Sequence, residues 1–464
     1  MRFASLGQQS FWLDEAATGR LVRMGLGGLL RTLPDGESTP PLYYVLAWLW
    51  TRLAGTGEVG LRSLSALLGT LTIPVLYAAG SRLLDRRAGL AAAALAAFSP
   101  LLVWYSQEAR SYALLVALSA VSLWALAGAV EPKSGRRPLV LWGLACALAM
   151  ATHYFAVFVV APEMVWLLRA RGRAAGPALI GVVAAGAALA PLALHQRAQG
   201  TAAFIAASPR ATRLGQAAKQ LAVGYDAPGQ VALAAAAAVL VLALVWLGAR
   251  RVTGGARRRA LGLAGVAAAA VGAPIALALL GLDYVITRNL IGAWVPAALA
   301  LSAGGALSGR RAGPGMVAGL CALGLVATLG VVLDARYQRD DWRGAARTLP
   351  GPGPAALVVT PASGSVALAY YLPASRRLPA AGAPVEWVEV IGLGARGVGR
   401  PLSAPRLASA TPMLAGFGVP QARRGATFTV LRYRALGAPV LVTPALLAPV
   451  ALAPGSPATL VAGR

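Results

Sequence analysis

Charge is scarce in this chain, and negative charge is scarcer still. Of 464 residues only 12% are charged, 16 of them are acidic, and there are two histidines and two cysteines. A soluble domain carries about a quarter charged residues, so a cytosolic globular enzyme is excluded. A disordered protein is excluded as well, because 58% of the residues are hydrophobic and disordered chains lack that apolar content. Cys146 and Cys321 both lie inside apolar runs. They form neither a disulfide scaffold nor a metal site and read as small core side chains. What the chain does have is a succession of long apolar blocks, so the solvent for most of it is lipid. Against the 16 acids stand 42 lysines and arginines, a net charge of +26. That balance suits a nucleic acid partner. Here, however, the basic residues sit in short clusters between apolar blocks, as membrane topology requires, so no nucleic acid partner is expected.

Candidate spanning blocks fall at 61–82, 88–104, 112–130, 138–152, 154–168, 177–194, 230–249, 260–280, 287–308 and 314–335. Most approach the ~20 residues that cross a ~30 Å hydrocarbon core. The stretch 138–168 is too long for one span and is divided at His153 into two short ones. The loops Ser81–Arg87, Glu131–Arg137, Arg169–Gly176, Arg250–Arg259 and Arg310–Gly313 hold 16 Lys and Arg. Tyr105–Ser111, the turn at His153 and Asp283–Arg288 hold two. The first set is therefore expected on the cytoplasmic side. Pro41–Leu53 is apolar and aromatic but short, and counting it as a span would invert every later loop. It reads as an interfacial helix with Tyr43, Tyr44, Trp48 and Trp50 at headgroup depth. Residues 1–60 are then external, and an external start predicts a further transmembrane helix upstream of Met1.

After Leu333 the character changes. Residues 336–464 are rich in Pro, Gly and Arg and carry short strand-like runs at Ala356–Thr360, Trp387–Ile391 and Thr427–Arg432, with a helical stretch at Ser365–Leu372. The expected fold is an all-α polytopic membrane protein of about ten transmembrane helices, with the upstream first helix missing from this chain. It has interfacial helices in the first external loop (1–60), a transmembrane domain (61–335) and a small external C-terminal α/β domain (336–464). Ala-rich runs such as Ala91–Ala97 and Ala234–Leu244 read as close-packing helices.

The few acids are informative. Only Asp85 and Glu131 fall in cytoplasmic loops. Asp14, Glu15, Asp35, Glu37, Glu58, Glu108, Asp226 and Asp283 are external, as are His153 and His195, so a site would face outward. Asp14 and Glu15 follow the aromatic run Phe11-Trp12-Leu13, and partial desolvation there strengthens a carboxylate base; equally, acids belong in a helix's first turn. Trp104–Tyr112 packs Tyr105, Gln107, Glu108 and Arg110 into one external turn, where Arg110 offers a fork of donors to a phosphate. Arg62 and Arg288, the latter near Tyr284, also sit at the external edge against the positive-inside bias. Three such arginines suggest an anionic ligand. His153 lines a cavity or breaks a helix. Glu163, inside an apolar run, reads as paired or snorkelling more readily than as a proton carrier.

Laid end to end, LGQQSFWLDEA, PPLYY, LRSLSALLG, WYSQEARSYAL and THYFA resemble the integral-membrane glycosyltransferases of the GT-C class. They are most similar to glycosyltransferase family 39, with its protein O-mannosyltransferases and lipid A aminoarabinose transferases. The resemblance covers about residues 6–170 and is weaker at Arg288–Pro296. It implies a polyprenyl-phosphate-linked sugar donor and transfer on the extracytoplasmic face. The catalytic acid it implies in the first external loop falls here on Asp14-Glu15. Thr39 stands where family members often carry His or Lys, so that group is absent or supplied elsewhere.

The expectation is a membrane glycosyltransferase moving one mannose-like sugar to an acceptor hydroxyl on protein, lipid or glycan. Asp14 is the general base, with Glu15 orienting it or binding acceptor or metal. Arg62, Arg110 and Arg288, with Tyr105 and Tyr284 as donors, would hold the departing phosphate. Gln107, Glu108, Pro41, Tyr43, Tyr44, His153 and Tyr154 are substrate-binding candidates. No cofactor is required by the sequence, and a divalent metal is left open. The expected location is a bacterial inner membrane, with the bilayer itself as partner. A transporter or flippase of lipid-linked sugars is the alternative. It needs polar groups along a path through both leaflets, whereas the polar groups here gather at one face.

Overall fold

The computed structural model describes residues 1–462 apart from 132–133, 309–310, 350–352, 395–400, 407–411 and 453–456. Lys133 and Arg310, both counted in the basic loops, lie outside the described residues. The fold divides into two compact units, one of Met1–Ala4 with Leu21–Leu329, the other of Ser5–Arg20 with Gly330–Arg464.

The larger unit is helical, and every expected apolar block falls on helix. Seven described segments are long and apolar enough to cross a membrane: Glu58–Leu83, Tyr112–Ala129, Tyr154–Ala198, Gln230–Arg251, Gly254–Leu279, Thr287–Leu307 and Ala312–Leu333. An eighth is the pair Arg86–Phe98 and Pro100–Ser106, bent by 60°. The bend has a local cause. Ser99 caps the second helix by accepting from Leu102 N, and Pro100 fills its first turn, where no N–H is needed. The remaining difference from ten lies at 136–198. The helix Arg136–Thr152 has 17 residues. The 45-residue run Tyr154–Ala198 joins two expected blocks through a short 3-10 turn at Gly172–Ala175. The chain is a multi-pass membrane protein.

Tyr112–Ala129 is mostly buried, while Ile180, Val183, Leu242, Trp246 and Leu329 are exposed on other helices. An apolar outer surface is what a lipid solvent allows. Small residues set the closest approaches: a Cβ on Gly304 would stand 2.1 Å from the Leu244 carbonyl oxygen. Asp85 and Glu131, the two acids expected on the cytoplasmic side, have structural duties. Asp85 caps the helix Arg86–Phe98 through Ala88 N, and Glu131 pairs with Arg82 at 2.9 Å.

The segment 199–229, a loop by span counting, contains the helix Arg210–Val223. Arg213 grips the Asp283 carboxylate with both Nη atoms at 2.9 and 2.7 Å, and Arg210 adds a third bond at 3.1 Å. These bonds hold the Asp283 carboxyl well below the usual carboxylate range.

Leu42–Ala54 is the helix expected over Pro41–Leu53, with one correction. Tyr43 and Tyr44, placed at headgroup depth by the sequence pattern, are buried inside the protein, where their hydroxyls bond to Ser65 and Glu37. Leu49 and Leu53 take the exposed face instead.

The smaller unit holds a six-stranded sheet. The described strands of the unit are β1 (Ala355–Thr360), β2 (Ser375–Arg377), β3 (Ala383–Val385), β4 (Trp387–Leu393), β5 (Gln421–Arg424), β6 (Phe428–Arg434), β7 (Val440–Val442) and β8 (Ala458–Ala462). The order is β2-β8-β1-β4-β6-β5, and β3 pairs with β7 apart from it. The parallel pair β1–β4 is central and buried, as its largely apolar runs favour, with Glu389 the exception in β4. The helix Gly364–Tyr371 follows β1.

Within this sheet Glu389 faces Arg432 across β4 and β6, with Arg432 Nε donating to Oε1 at 2.7 Å. Burial pushes the Glu389 carboxyl up to about 7 against the pull of Arg432. The folded state then holds this proton more tightly than the unfolded chain. The stability it confers is complete below the ordinary glutamate value and is lost as pH rises through about 7. Its full size is on the order of 3 kcal/mol. Glu389→Gln is expected to flatten the fall in thermal stability between pH 4.5 and 8; an unchanged slope would show that another group titrates.

Candidate active site

The predicted carboxylates and the predicted arginines fall in different units, and each group has its own surroundings. In the smaller unit the helix Leu13–Arg23 begins with Asp14 and Glu15 in its first turn, where the helix dipole favours negative charge. The approach to this helix is pinned by side chains from the other end of the sequence. Gln9 Oε1 accepts from the Arg339 backbone N–H at 2.9 Å. Ser10 Oγ donates to the Asp340 carbonyl at 2.6 Å and accepts from Trp342 N at 3.0 Å. Phe11 N donates to the Tyr371 hydroxyl at 2.6 Å, and its ring meets Tyr370 edge-on with centroids 5.0 Å apart. The two carboxylates are thereby made unequal. Glu15 is fully buried with Oε2 3.7 Å from Arg339 Nε, whereas Asp14 is half-buried and the more reachable.

In the larger unit Arg110 is committed to a partner. Its Nη1 and Nη2 donate to Glu37 Oε1 and Oε2 at 3.0 and 2.9 Å, a buried bidentate pair. The Tyr44 hydroxyl donates to Glu37 Oε2 at 2.6 Å and shares a 2.9 Å bond with Thr39 Oγ1, and Arg110 also lies over the Tyr44 ring at 5.6 Å. Thr39 thus joins this network at the position where the resemblance leads one to expect His or Lys. Tyr154 reaches the same region through Gln196, whose Oε1 accepts from the Tyr154 hydroxyl at 2.8 Å and whose Nε2 donates to the Thr39 carbonyl at 3.3 Å. Pro41 is the N-cap of the helix Leu42–Ala54.

A chain of rings connects further candidates. Tyr105 meets Tyr112 at 4.7 Å, Tyr112 meets His153 at 5.9 Å, His153 meets Phe155 at 5.6 Å, and Phe155 meets Tyr284 at 5.9 Å. Arg288 is half-buried beneath the exposed Phe204 ring, 5.4 Å away. The ring contacts bring Tyr105, His153 and Tyr284 into one neighbourhood. Arg62 and Glu108 are buried. Gln107 is turned to the chain start, donating to the Met1 carbonyl at 3.0 Å. Glu163 lies in the helical core, accepting from Ser122 at 3.0 Å and Trp142 at 2.8 Å, which is the paired state expected of it. His195 pairs with Asp35 at 2.7 Å on the surface.

Glu37, Gln196 and Arg339 are the participants that sequence reasoning missed. Glu37 was visible as an external acid, but its partner is 73 residues away. Arg339 carried no signal at all. Among the described residues no group of three or more His, Cys, Asp or Glu side chains comes together.

Residues 38–195 match the family described as dolichyl-phosphate-mannose-protein mannosyltransferase. The chain is similar to the GT-C glycosyltransferases. The matched third of the chain contains Pro41, Tyr43, Tyr44, Arg62, Tyr105, Gln107, Glu108, Arg110, His153 and Tyr154, and excludes Asp14, Glu15, Tyr284 and Arg288. Among solved structures, ArnT from Cupriavidus metallidurans in the apo state is 18% identical with a TM-score of 0.46, covering 68% of this chain and 60% of its own. The same protein bound to undecaprenyl phosphate is 15% identical, also with a TM-score of 0.46, covering 80% and 82%. The chain thus spans about 60% of the first of these. No curated protein matches it.

Proposed function

We propose that the chain transfers a single sugar from a polyprenyl-phosphate carrier to an acceptor hydroxyl on the extracytoplasmic face of a bacterial inner membrane. The match of residues 38–195 to a polyprenyl-type mannosyltransferase family is the observation that carries this reading. The acceptor oxygen forms a bond to the sugar C1 as the C1–O bond to the carrier phosphate breaks. The phosphate leaves with the electron pair, and Asp14 takes the acceptor proton. Arg288 and Arg62 stabilise the departing phosphate, with Tyr105 and Tyr284 as neutral donors. Arg110 acts with Glu37, as a neutralised pair that shapes the site. The bonded state of Glu163 supports an enzyme over a transporter, since this buried acid is already satisfied.

The test is the full chain in proteoliposomes with a panel of radiolabelled undecaprenyl-phosphate sugars, mannose first. Label released from the lipid supports transfer; silence across the panel favours the transporter. Arg288→Gln is expected to weaken binding of bare undecaprenyl phosphate at least tenfold, since a hydrogen bond to a charged group is worth about 1.5–3 kcal/mol. Displacement of labelled donor measures this, and an unchanged affinity would remove Arg288 from the phosphate site.

A further inference from the structure

We propose that Arg339 is a positioning residue for the Asp14–Glu15 pair, holding Glu15 so that Asp14 is presented to the acceptor. The proposal rests on the reading of Asp14 as the base. Glu15 is fully buried, and a buried carboxylate beside a working base needs a counter-charge. Arg339, only 3% exposed, lies 3.7 Å from it. The arginine is itself fixed to the segment that leads into the helix. Its backbone N–H and Nη1 both donate to Gln9 Oε1, at 2.9 and 3.4 Å, and its neighbour Asp340 accepts from Ser10. Successive helix residues point about 100° apart, so locking Glu15 inward also sets the direction of Asp14. A 1 Å misplacement at a reacting centre costs about 10²-fold, which is the effect to expect from releasing the clamp. A buried pair that only stabilised the fold would change melting temperature and leave kcat of the folded protein alone.

The experiment uses the full chain in proteoliposomes with whichever panel sugar the wild type discharges. Arg339→Gln is expected to lower kcat about 10²-fold at unchanged KM for the donor. Arg339→Lys, with one point charge in place of a planar fork, is expected to keep about a tenth of kcat. The double variant Glu15→Gln/Arg339→Gln is expected to be no worse than the poorer single, because the two act as a unit. Additive losses, a loss expressed only in KM, or a full kcat in Arg339→Gln would overturn the proposal. Should Arg339→Gln fail to fold, Arg339→Lys decides alone, and a wild-type kcat there overturns it. Loss of transfer in Asp14→Asn with full kcat in Arg339→Gln overturns this proposal only. Normal transfer in Asp14→Asn, or no discharge by the wild type, removes the base assignment and this proposal with it.

Discussion

Asp14→Asn is expected to lower sugar transfer by about 10²–10⁴-fold, the range contributed by a positioned acid–base group, while the protein still folds. The substitution keeps the size of the side chain and its place in the first helical turn, but an amide cannot take the acceptor proton. Asp14 is half-buried, whereas Glu15 is fully enclosed beside Arg339. Because the amide keeps the shape of the carboxylate, the substitution is expected to cost chemistry more than stability. Release of label from undecaprenyl-phosphate mannose, measured beside a thermal melt, separates the two quantities. A variant that melts normally and transfers at the wild-type rate would leave the base to another group.

Arg110→Met is expected to destabilise the protein by about 3–5 kcal/mol, because it strands the Glu37 carboxylate in a buried site. Among the described residues, the Tyr44 hydroxyl would be the main donor left to that carboxylate, too little to offset a full charge. Adding Glu37→Gln removes the stranded charge, and the double variant should recover much of the loss. This cycle also tests the role of Arg110. If the double variant regains stability and binds bare undecaprenyl phosphate as the wild type does, Arg110 shapes the site without holding the phosphate. If stability returns and phosphate binding does not, the guanidinium contacts the carrier as the sequence suggested.

Much of the fold was legible because lipid imposes a simple rule on sequence. Each apolar block had to become helix, since an unpaired backbone has no partner in hydrocarbon. The two central strands of the C-terminal unit were legible for a related reason: the runs at Ala356–Thr360 and Trp387–Ile391 are mostly apolar, which suits the centre of a sheet. Tyr43 and Tyr44 were misplaced because aromatic residues on a short helix carry the same pattern whether they meet headgroups or a buried Glu37. The 60° bend at Pro100 was hidden inside a block whose composition matches a straight span.

Among the site residues, chemistry that depends on residue type could be read from the chain. Adjacent acids at the start of a helix, and arginines at the membrane edge opposite the basic loops, stand out in a chain so poor in acids. The sequence by itself determined a membrane-spanning helical protein with a small strand-bearing C-terminal unit. Only the tertiary structure decided which charges neutralise one another. Arg110 is paired with Glu37 across 73 residues, and Glu15 with Arg339 across more than 300. A buried charge takes the partner that folding brings within a few ångströms, and sequence spacing carries no record of that distance.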